Sequence, residues 1–370
     1  MANKTRKKII LVAGARPNFM KIAPIMKEMK KYPDRFQPIF VHTGQHYDNN
    51  MSEIFLHDLG LPEPDIYLGV GSASHAVQTA KVMVEFEKVL EKEKPDLVIV
   101  VGDVNSTLAC ALVASKLGIK IAHVEAGLRS FDRTMPEEIN RVLTDQISDI
   151  LFTTCEDARD NLIREGIEED KIYFVGNAMI ESLIMASKKV QDSGILQKMG
   201  LKRKEYSLVT LHRPSNVDNE ETFKEIFKTL HKIAEEIPVV FPAHPRTKKR
   251  MKEFNFPDDK YNNGLFITDP VGYFDFLSLE MNSRFVLTDS GGVQEETTFF
   301  KVPCITIREN TERPITVTEG TNVIVGTNPD KIFKESKAVI SGDGKKGKIP
   351  EFWDDGVSKR IVEVVGSKLS

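Results

Sequence analysis

Two apolar runs, Leu97–Val101 and Ile121–Val124, flank a helix-patterned segment, and this spacing constrains the chain more than any other feature. Short apolar runs bounded by turn residues read as buried strands, and two of them joined through a helix make a parallel strand–helix–strand unit. Each run ends in polar residues: Gly102-Asp103 after the first, Glu125 after the second. Met-Pro-Glu-Glu (135–138) then reads as a loop entering a helix, with Pro136 in its first turn. Doubly wound sheets keep their chemistry beyond the carboxyl ends of their strands. Asp103, Glu125 and the Glu137/Glu138 pair therefore stand where an acid/base cluster belongs. Plainer roles compete: Asp103 as a helix cap, Glu137 and Glu138 as charges favoured at a helix N-terminus. Glu125 caps no evident helix. Of the two adjacent glutamates, one is expected to be catalytic and one structural. His123, inside the strand, reads as a satisfied core residue rather than a catalyst.

The same alternation extends both ways. Ile9–Val12 is a strand broken by Gly14-Ala15-Arg16-Pro17. A helix should follow from Pro17 to about Tyr32, with Met20, Ala23, Met26 and Met29 as its apolar stripe and Pro24 as a kink or restart. Arg16 and Lys21 lie at its entrance, where backbone N–H groups and basic side chains suit a phosphate; taken alone they read equally as surface charges. Gln37–Thr43 is a strand leading into a polar loop with Gln45 and His46. A Gly/Ser turn at 69–72 precedes another helix, and Ile150–Thr154 and Ile172–Val175 are further strands. Gly176-Asn177 closes a first domain, 1–177. Residues 187–204, polar and lysine-rich, read as a surface excursion.

A second alternating set starts at Tyr206, with strands at Ser207–Leu211, Val239–Phe241, Leu265–Thr268, Arg284–Thr288, Cys304–Ile307 and Val323–Val325. The expected fold class is α/β, with two Rossmann-like doubly wound domains facing a cleft. The second domain is 178–354, with a Gly/Lys linker at 341–350. A helix in 355–370 is expected to pack back on the first domain. Asp289-Ser290-Gly291-Gly292 before a helix suits an anion, because glycine lets backbone N–H groups approach a diphosphate. The alternative is a glycine turn with Ser290 as cap. Glu296, one turn on, is placed for ribose hydroxyls, and Arg308 or Arg313 for phosphate charge.

Composition removes other classes. Lys and Arg total 51 against 54 Asp and Glu, a net charge of −3, which gives no basic field for nucleic acid. No apolar run reaches membrane-spanning length and no cleavable signal is evident. Cys110, Cys155 and Cys304 show no paired spacing, as in a reduced, cytoplasmic protein. No Cys/His cluster has zinc-ligand spacing, so no metal is expected.

Taken in order, a set of motifs resembles the non-hydrolysing UDP-N-acetylglucosamine 2-epimerases. They are Gly-Ala-Arg-Pro-Asn-Phe-Met-Lys (14–21), Gly-Gln-His (44–46), Gly-Asp-Val-Asn-Ser-Thr (102–107), His-Val-Glu-Ala-Gly-Leu-Arg (123–129), Pro-Glu-Glu-Ile-Asn-Arg (136–141), Leu-His-Arg (211–213), Asp-Ser-Gly-Gly-Val-Gln-Glu-Glu (289–296) and Arg-Glu-Asn-Thr-Glu-Arg-Pro (308–314). The resemblance implies the GT-B architecture and a set of roles. Asp103, Glu125 and Glu137 match acid/base carboxylates, and His212 a catalytic histidine. Arg16 and Lys21 match basic substrate-binding residues, and Ser290, Gly291 and Gly292 the diphosphate loop. Glu296 matches a ribose contact, with Phe276 and Arg313 on the nucleotide side. Gln45 and His46 match residues that in some relatives bind a second, activating UDP-sugar. The implied reaction is reversible epimerisation at C2 of UDP-N-acetylglucosamine to UDP-N-acetylmannosamine, through elimination of UDP to a 2-acetamidoglucal and re-addition. That route calls for no cofactor. A homodimer supplying surface-polysaccharide precursors is expected. Two departures matter. Gly-Ala-Arg-Pro-Asn stands where Gly-Thr-Arg-Pro-Glu is frequent, and Ser215 replaces a glutamate of the histidine motif. Ser215 keeps open an epimerase of a UDP-diacetamido sugar; a GT-B glycosyltransferase, a sugar-releasing relative and a binding regulator without turnover are the competing readings.

Overall fold

All the apolar runs marked above enter one of two sheets. The structure, a computed structural model, describes residues 6–44, 61–190, 193–256 and 261–370. The Arg16 side chain and the whole of Gln45 and His46 lie outside the described residues. The chain forms two compact units, residues 1–186 with 351–370 and residues 187–350.

Unit 1 holds strands β1 (Lys7–Ala13), β2 (Phe36–His42), β3 (Ile66–Tyr67), β4 (Leu97–Val101), β5 (Lys120–Ala126), β6 (Ile150–Thr153) and β7 (Ile172–Phe174). They pair in parallel in the order β3-β2-β1-β4-β5-β6-β7. Helices α1 (Arg16–Met29), α2 (His75–Glu93), α3 (Asn105–Lys116), α4 (Pro136–Gln146), α5 (Glu156–Arg164) and α6 (Ala178–Val190) make the connections. The central β4 is buried along its whole length, as a parallel strand covered on both faces must be. Strand order reverses between β1 and β4, and that reversal is the switch point where doubly wound sheets open a crevice.

Unit 2 holds β8 (Ser207–Thr210), β9 (Val239–Pro242), β10 (Tyr261–Asn262), β11 (Leu265–Thr268), β12 (Phe285–Thr288), β13 (Cys304–Thr306) and β14 (Asn322–Ile324). The order is β10-β11-β9-β8-β12-β13-β14, parallel except for the antiparallel β10–β11 pair. The helices are α7 (Glu220–Ala234), α8 (Pro245–Glu253), α9 (Tyr273–Asn282), α10 (Gly291–Phe300) and α11 (Pro329–Ser341). Its switch point lies between β8 and β12.

Three local expectations change. Helix α1 runs unbroken through Pro24. Proline cannot donate to the carbonyl four residues back, that of Met20; the Ser182 hydroxyl donates to it instead. The 187–204 stretch is not a free surface excursion, because Ile195 is buried with Tyr206 and Leu208 in unit 2's core. The 341–350 linker is laid against unit 2: Lys348 N–H donates to Glu319 O at 2.9 Å, and a Cβ on Gly347 would stand 2.3 Å from Gly320 backbone.

Helix α12 (Val357–Lys368) belongs to unit 1 and packs on α1 through a buried face that includes Ile361, Val362 and Val365. Unit 1 also extends past Asn177 into α6. Ser182 on that helix is tied to α1, and the Glu181 carboxylate accepts from Ser358 N–H and hydroxyl, both at 2.6 Å.

Candidate active site

The turn after β4 is closely packed at unit 1's switch point. Gly102 has φ +67°, and a Cβ there would stand 3.0 Å from Lys21 Nζ and 3.3 Å from Asn18 Nδ2. Glycine is required both by the backbone and by the space. Lys21, on α1, places Nζ 2.7 Å from Glu125 Oε2, and both side chains are buried. Asn18 ties two strand ends together. Its Oδ1 accepts from Gly14 and Ala15 N–H, and its Nδ2 donates to Val101 O at 3.0 Å.

Glu125 adopts φ +74° beside a register shift of β5 against β6. A left-handed non-glycine residue costs on the order of 1–3 kcal/mol, and such strain gathers at functional sites. The irregularity re-aims its side chain out of the strand's alternation.

Asp103 is not a cap: Val104 occupies the N-cap of α3, with no side-chain cap bond. Its carboxylate instead accepts from Arg141 Nη2 at 2.5 Å, and its backbone carbonyl accepts from Asn140 Nδ2 at 2.9 Å. Both partners lie on α4, the helix that carries Glu137. Glu138 is committed to structure. It accepts from Ser130 N–H and hydroxyl, from Phe131 N–H and from Arg141 Nη1, at 2.9–3.0 Å. Glu137 is partly exposed in the same first turn.

His123 is fully buried, with Nδ1 2.6 Å from Asp145 Oδ1 and Nε2 2.8 Å from Gly102 O. Burial alone would raise the Asp145 carboxyl, but His123 and Arg129 hold it below the usual carboxylate range.

In unit 2, His212 follows β8 and is partly exposed, with Nδ1 3.1 Å from Asp289 Oδ1. Asp289 also accepts from the N–H of His212 and of Arg213, at 3.0 and 2.9 Å, and from Asn216 Nδ2 at 3.1 Å. Burial opposes its charge, yet these donors keep its carboxyl below the ordinary range. A carboxylate on Nδ1 fixes the ring and leaves Nε2 as the working nitrogen.

Ser290 sits at the N-cap of α10 without a side-chain cap bond, so capping does not explain it. A Cβ on Gly291 would meet Arg313 Nη1 at 2.6 Å and Glu312 Oε1 at 2.7 Å. Arg313 lies 2.7 Å from Glu312 and, through Nε, 2.9 Å from Glu295. Arg308 Nη2 is 2.8 Å from Glu312 Oε2, and Arg213 Nη2 3.6 Å from Glu312 Oε1. Three guanidinium groups thus share two carboxylates beside the glycine turn. Phe276 is half-buried against the core cluster containing Tyr206, Leu279 and Val293. Glu296 is buried, and burial, modified by Glu280 and Glu295, pushes its carboxyl up to about 7. Burial and the neighbouring Glu296 push Glu280 well above the carboxylate range.

Sequence reasoning assigned no role to Asn18, Arg141, Asp145, Glu280 or Glu312. For Arg141 a signal existed: it stands three residues after Glu138 on a helix, the spacing of an ion pair. Among the described residues, no group of three or more His, Cys, Asp or Glu side chains could hold a metal ion, and no helix is long and apolar enough to cross a membrane.

The UDP-N-acetylglucosamine 2-epimerase family profile matches residues 27–366. The chain is 49% identical, over 92% of its length and 96% of the relative's, to a Methanocaldococcus jannaschii UDP-N-acetylglucosamine 2-epimerase. It is 44% identical, over 91% of its length and 95% of the relative's, to a Pseudomonas aeruginosa UDP-2,3-diacetamido-2,3-dideoxy-D-glucuronate 2-epimerase. A crystal structure of a Methanocaldococcus jannaschii UDP-GlcNAc 2-epimerase in complex with UDP-GlcNAc and UDP is similar at a TM-score of 0.89 and 48% identity, covering 97% of this chain and 99% of that one.

Proposed function

The chain belongs to the UDP-N-acetylglucosamine 2-epimerase family, and we propose that it interconverts UDP-N-acetylglucosamine and UDP-N-acetylmannosamine without releasing free sugar. The observation that carries this reading is the charged cluster of Lys21, Asp103 and Glu125 at the switch point of unit 1.

The proton on C2 of the sugar is not acidic by itself. When the C1–O bond breaks, its electron pair leaves with UDP and positive charge develops at C1. Loss of the C2 proton to a carboxylate then gives a neutral 2-acetamidoglucal. UDP oxygen adds back to C1 while a proton is delivered to the other face of C2. Asp103, Glu125 and Glu137 are the proposed proton-transfer groups, with His212 as a further acid/base. Arg16, Lys21, the Ser290–Gly292 turn and Arg313 carry the diphosphate charge, whose stabilisation lowers the barrier to C1–O cleavage. Glu296 takes ribose hydroxyls and Phe276 the nucleotide side. A second UDP-sugar at Gln45 and His46 belongs to the same proposal, as does a cytoplasmic homodimer feeding surface-polysaccharide synthesis.

The Pseudomonas relative, together with Ser215, favours a second reading, a UDP-diacetamido sugar as substrate. One experiment decides between them: each UDP-sugar is incubated with the full chain in heavy water and followed by NMR. The first reading expects UDP-N-acetylmannosamine with deuterium at C2 and no free sugar. Turnover of the diacetamido sugar alone establishes the second reading in its place.

A further inference from the structure

Glu125 is bracketed along the chain by His123 in β5 and Gly127 just past its end, two residues that converge on one buried carboxylate. On one side, His123 Nδ1 is 2.6 Å from Asp145 Oδ1; on the other, Gly127 N–H donates to Asp145 Oδ2 at 3.1 Å. The strained residue between them, with φ +74°, is therefore anchored at both ends to α4. The second nitrogen of His123 reaches across to β4, where Nε2 is 2.8 Å from the carbonyl oxygen of Gly102.

A carbonyl oxygen only accepts, so Nε2 carries a hydrogen. The carboxylate facing Nδ1 accepts as well. The charges around the ring match a cation. Arg129 lies 2.7 Å from Asp145 and 2.6 Å from Glu165, so two carboxylates meet one guanidinium, and a protonated ring completes the balance. Lys21 and Glu125 beyond Gly102 already pair with each other.

We propose that His123 is a positioning residue, held as an imidazolium between Asp145 and the Gly102 carbonyl, and that it fixes the Gly102-Asp103 turn relative to Glu125. It touches no reacting atom. It couples two neighbouring strand ends, so the two proposed proton-transfer carboxylates keep one separation. The functional part rests on the proposed epimerase chemistry; the protonation of the ring does not.

The test has two arms. Neutron diffraction from the deuterated full chain reads the ring directly, without a variant and without turnover. Deuterons on both Nδ1 and Nε2 are expected, and a single deuteron overturns the proposal. In the second arm, His123→Asn keeps a donor near Nδ1 and loses the reach to Gly102, whereas His123→Gln reaches the Gly102 carbonyl. Misplacement of reacting groups by about 1 Å costs about a hundredfold. His123→Asn is therefore expected to lose about a hundredfold in kcat, with KM and UDP affinity changed less than about twofold. His123→Gln should recover about tenfold of that loss. Equal kcat in the two folded variants overturns the coupling to Gly102. Absence of epimerisation by the unmodified chain refutes the proposed function and leaves the neutron result to stand by itself.

Discussion

At the switch point of unit 1, three carboxylates share two cations: Glu125 pairs with Lys21, and Asp103 and Glu138 with Arg141. At the switch point of unit 2 the same topology is filled differently. Arg213, Arg308 and Arg313 share Glu295 and Glu312, and the glycine turn opening α10 adds backbone N–H groups. Nearby, burial and their mutual proximity raise the carboxyls of Glu280 and Glu296. One end of a doubly wound sheet sets three carboxylates on two cations, the other three guanidinium groups on two glutamates beside a glycine turn. On the proposed function, the first suits moving a proton and the second suits holding a departing diphosphate.

The strongest test of that contrast is Glu125→Gln. Positioned acid/base groups contribute about a hundred- to ten-thousandfold, so turnover should fall by that much while UDP affinity by calorimetry stays unchanged. A parallel loss of UDP affinity breaks the contrast. Gly291→Ala is its counterpart in unit 2. The new methyl collides with Arg313 and Glu312, and if the overpacking of about 1–3 kcal/mol falls on the binding-competent turn, UDP binding weakens about five- to 150-fold. Its kcat at saturation should change far less than that of Glu125→Gln.

The smallest effect is a pH dependence of unit 2's stability. The Glu296 carboxyl is raised in the fold to about 7. Stability from its protonated form is complete below the ordinary carboxyl pKa and is lost as pH rises through about 7, on the order of 3 kcal/mol. Asp289 is shifted the other way, so its contribution disappears only in acid, as pH falls through its depressed value. Thermal unfolding should therefore occur at lower temperature at about pH 8 than at about pH 5.5. Glu280→Gln should flatten that slope, and an unchanged slope would remove Glu280 and Glu296 as its source.

The strands other than the two-residue β3 and β10 were legible because parallel strands covered on both faces must be continuous apolar runs. Gly102 was legible as a turn, since little else fits there. What sequence could not supply came from distant partners. Pro24 signals a break, and Ser182, 162 residues from the Met20 carbonyl it caps, explains its absence. Glu137 and Glu138 are chemically identical neighbours, and only the register of α4 against the Ser130–Phe131 turn commits Glu138 to structure. Nothing in the string Val-Glu-Ala announces a left-handed glutamate, because glutamate carries no preference for that conformation. Glu280 sits among apolar residues of α9, and its carboxyl is raised by tertiary burial beside Glu296.

Unit 1 is written in two pieces, with unit 2 between them. A ribosome reading this message delivers all of unit 2 before it delivers Trp353, which donates to Thr154 O, or the α12 face that covers α1. Until then the nascent unit 1 exposes the apolar side of α1 and leaves Glu181 without Ser358. A premature stop codon after residue 350 would thus spare unit 2's sequence entirely and yet damage the unit encoded first.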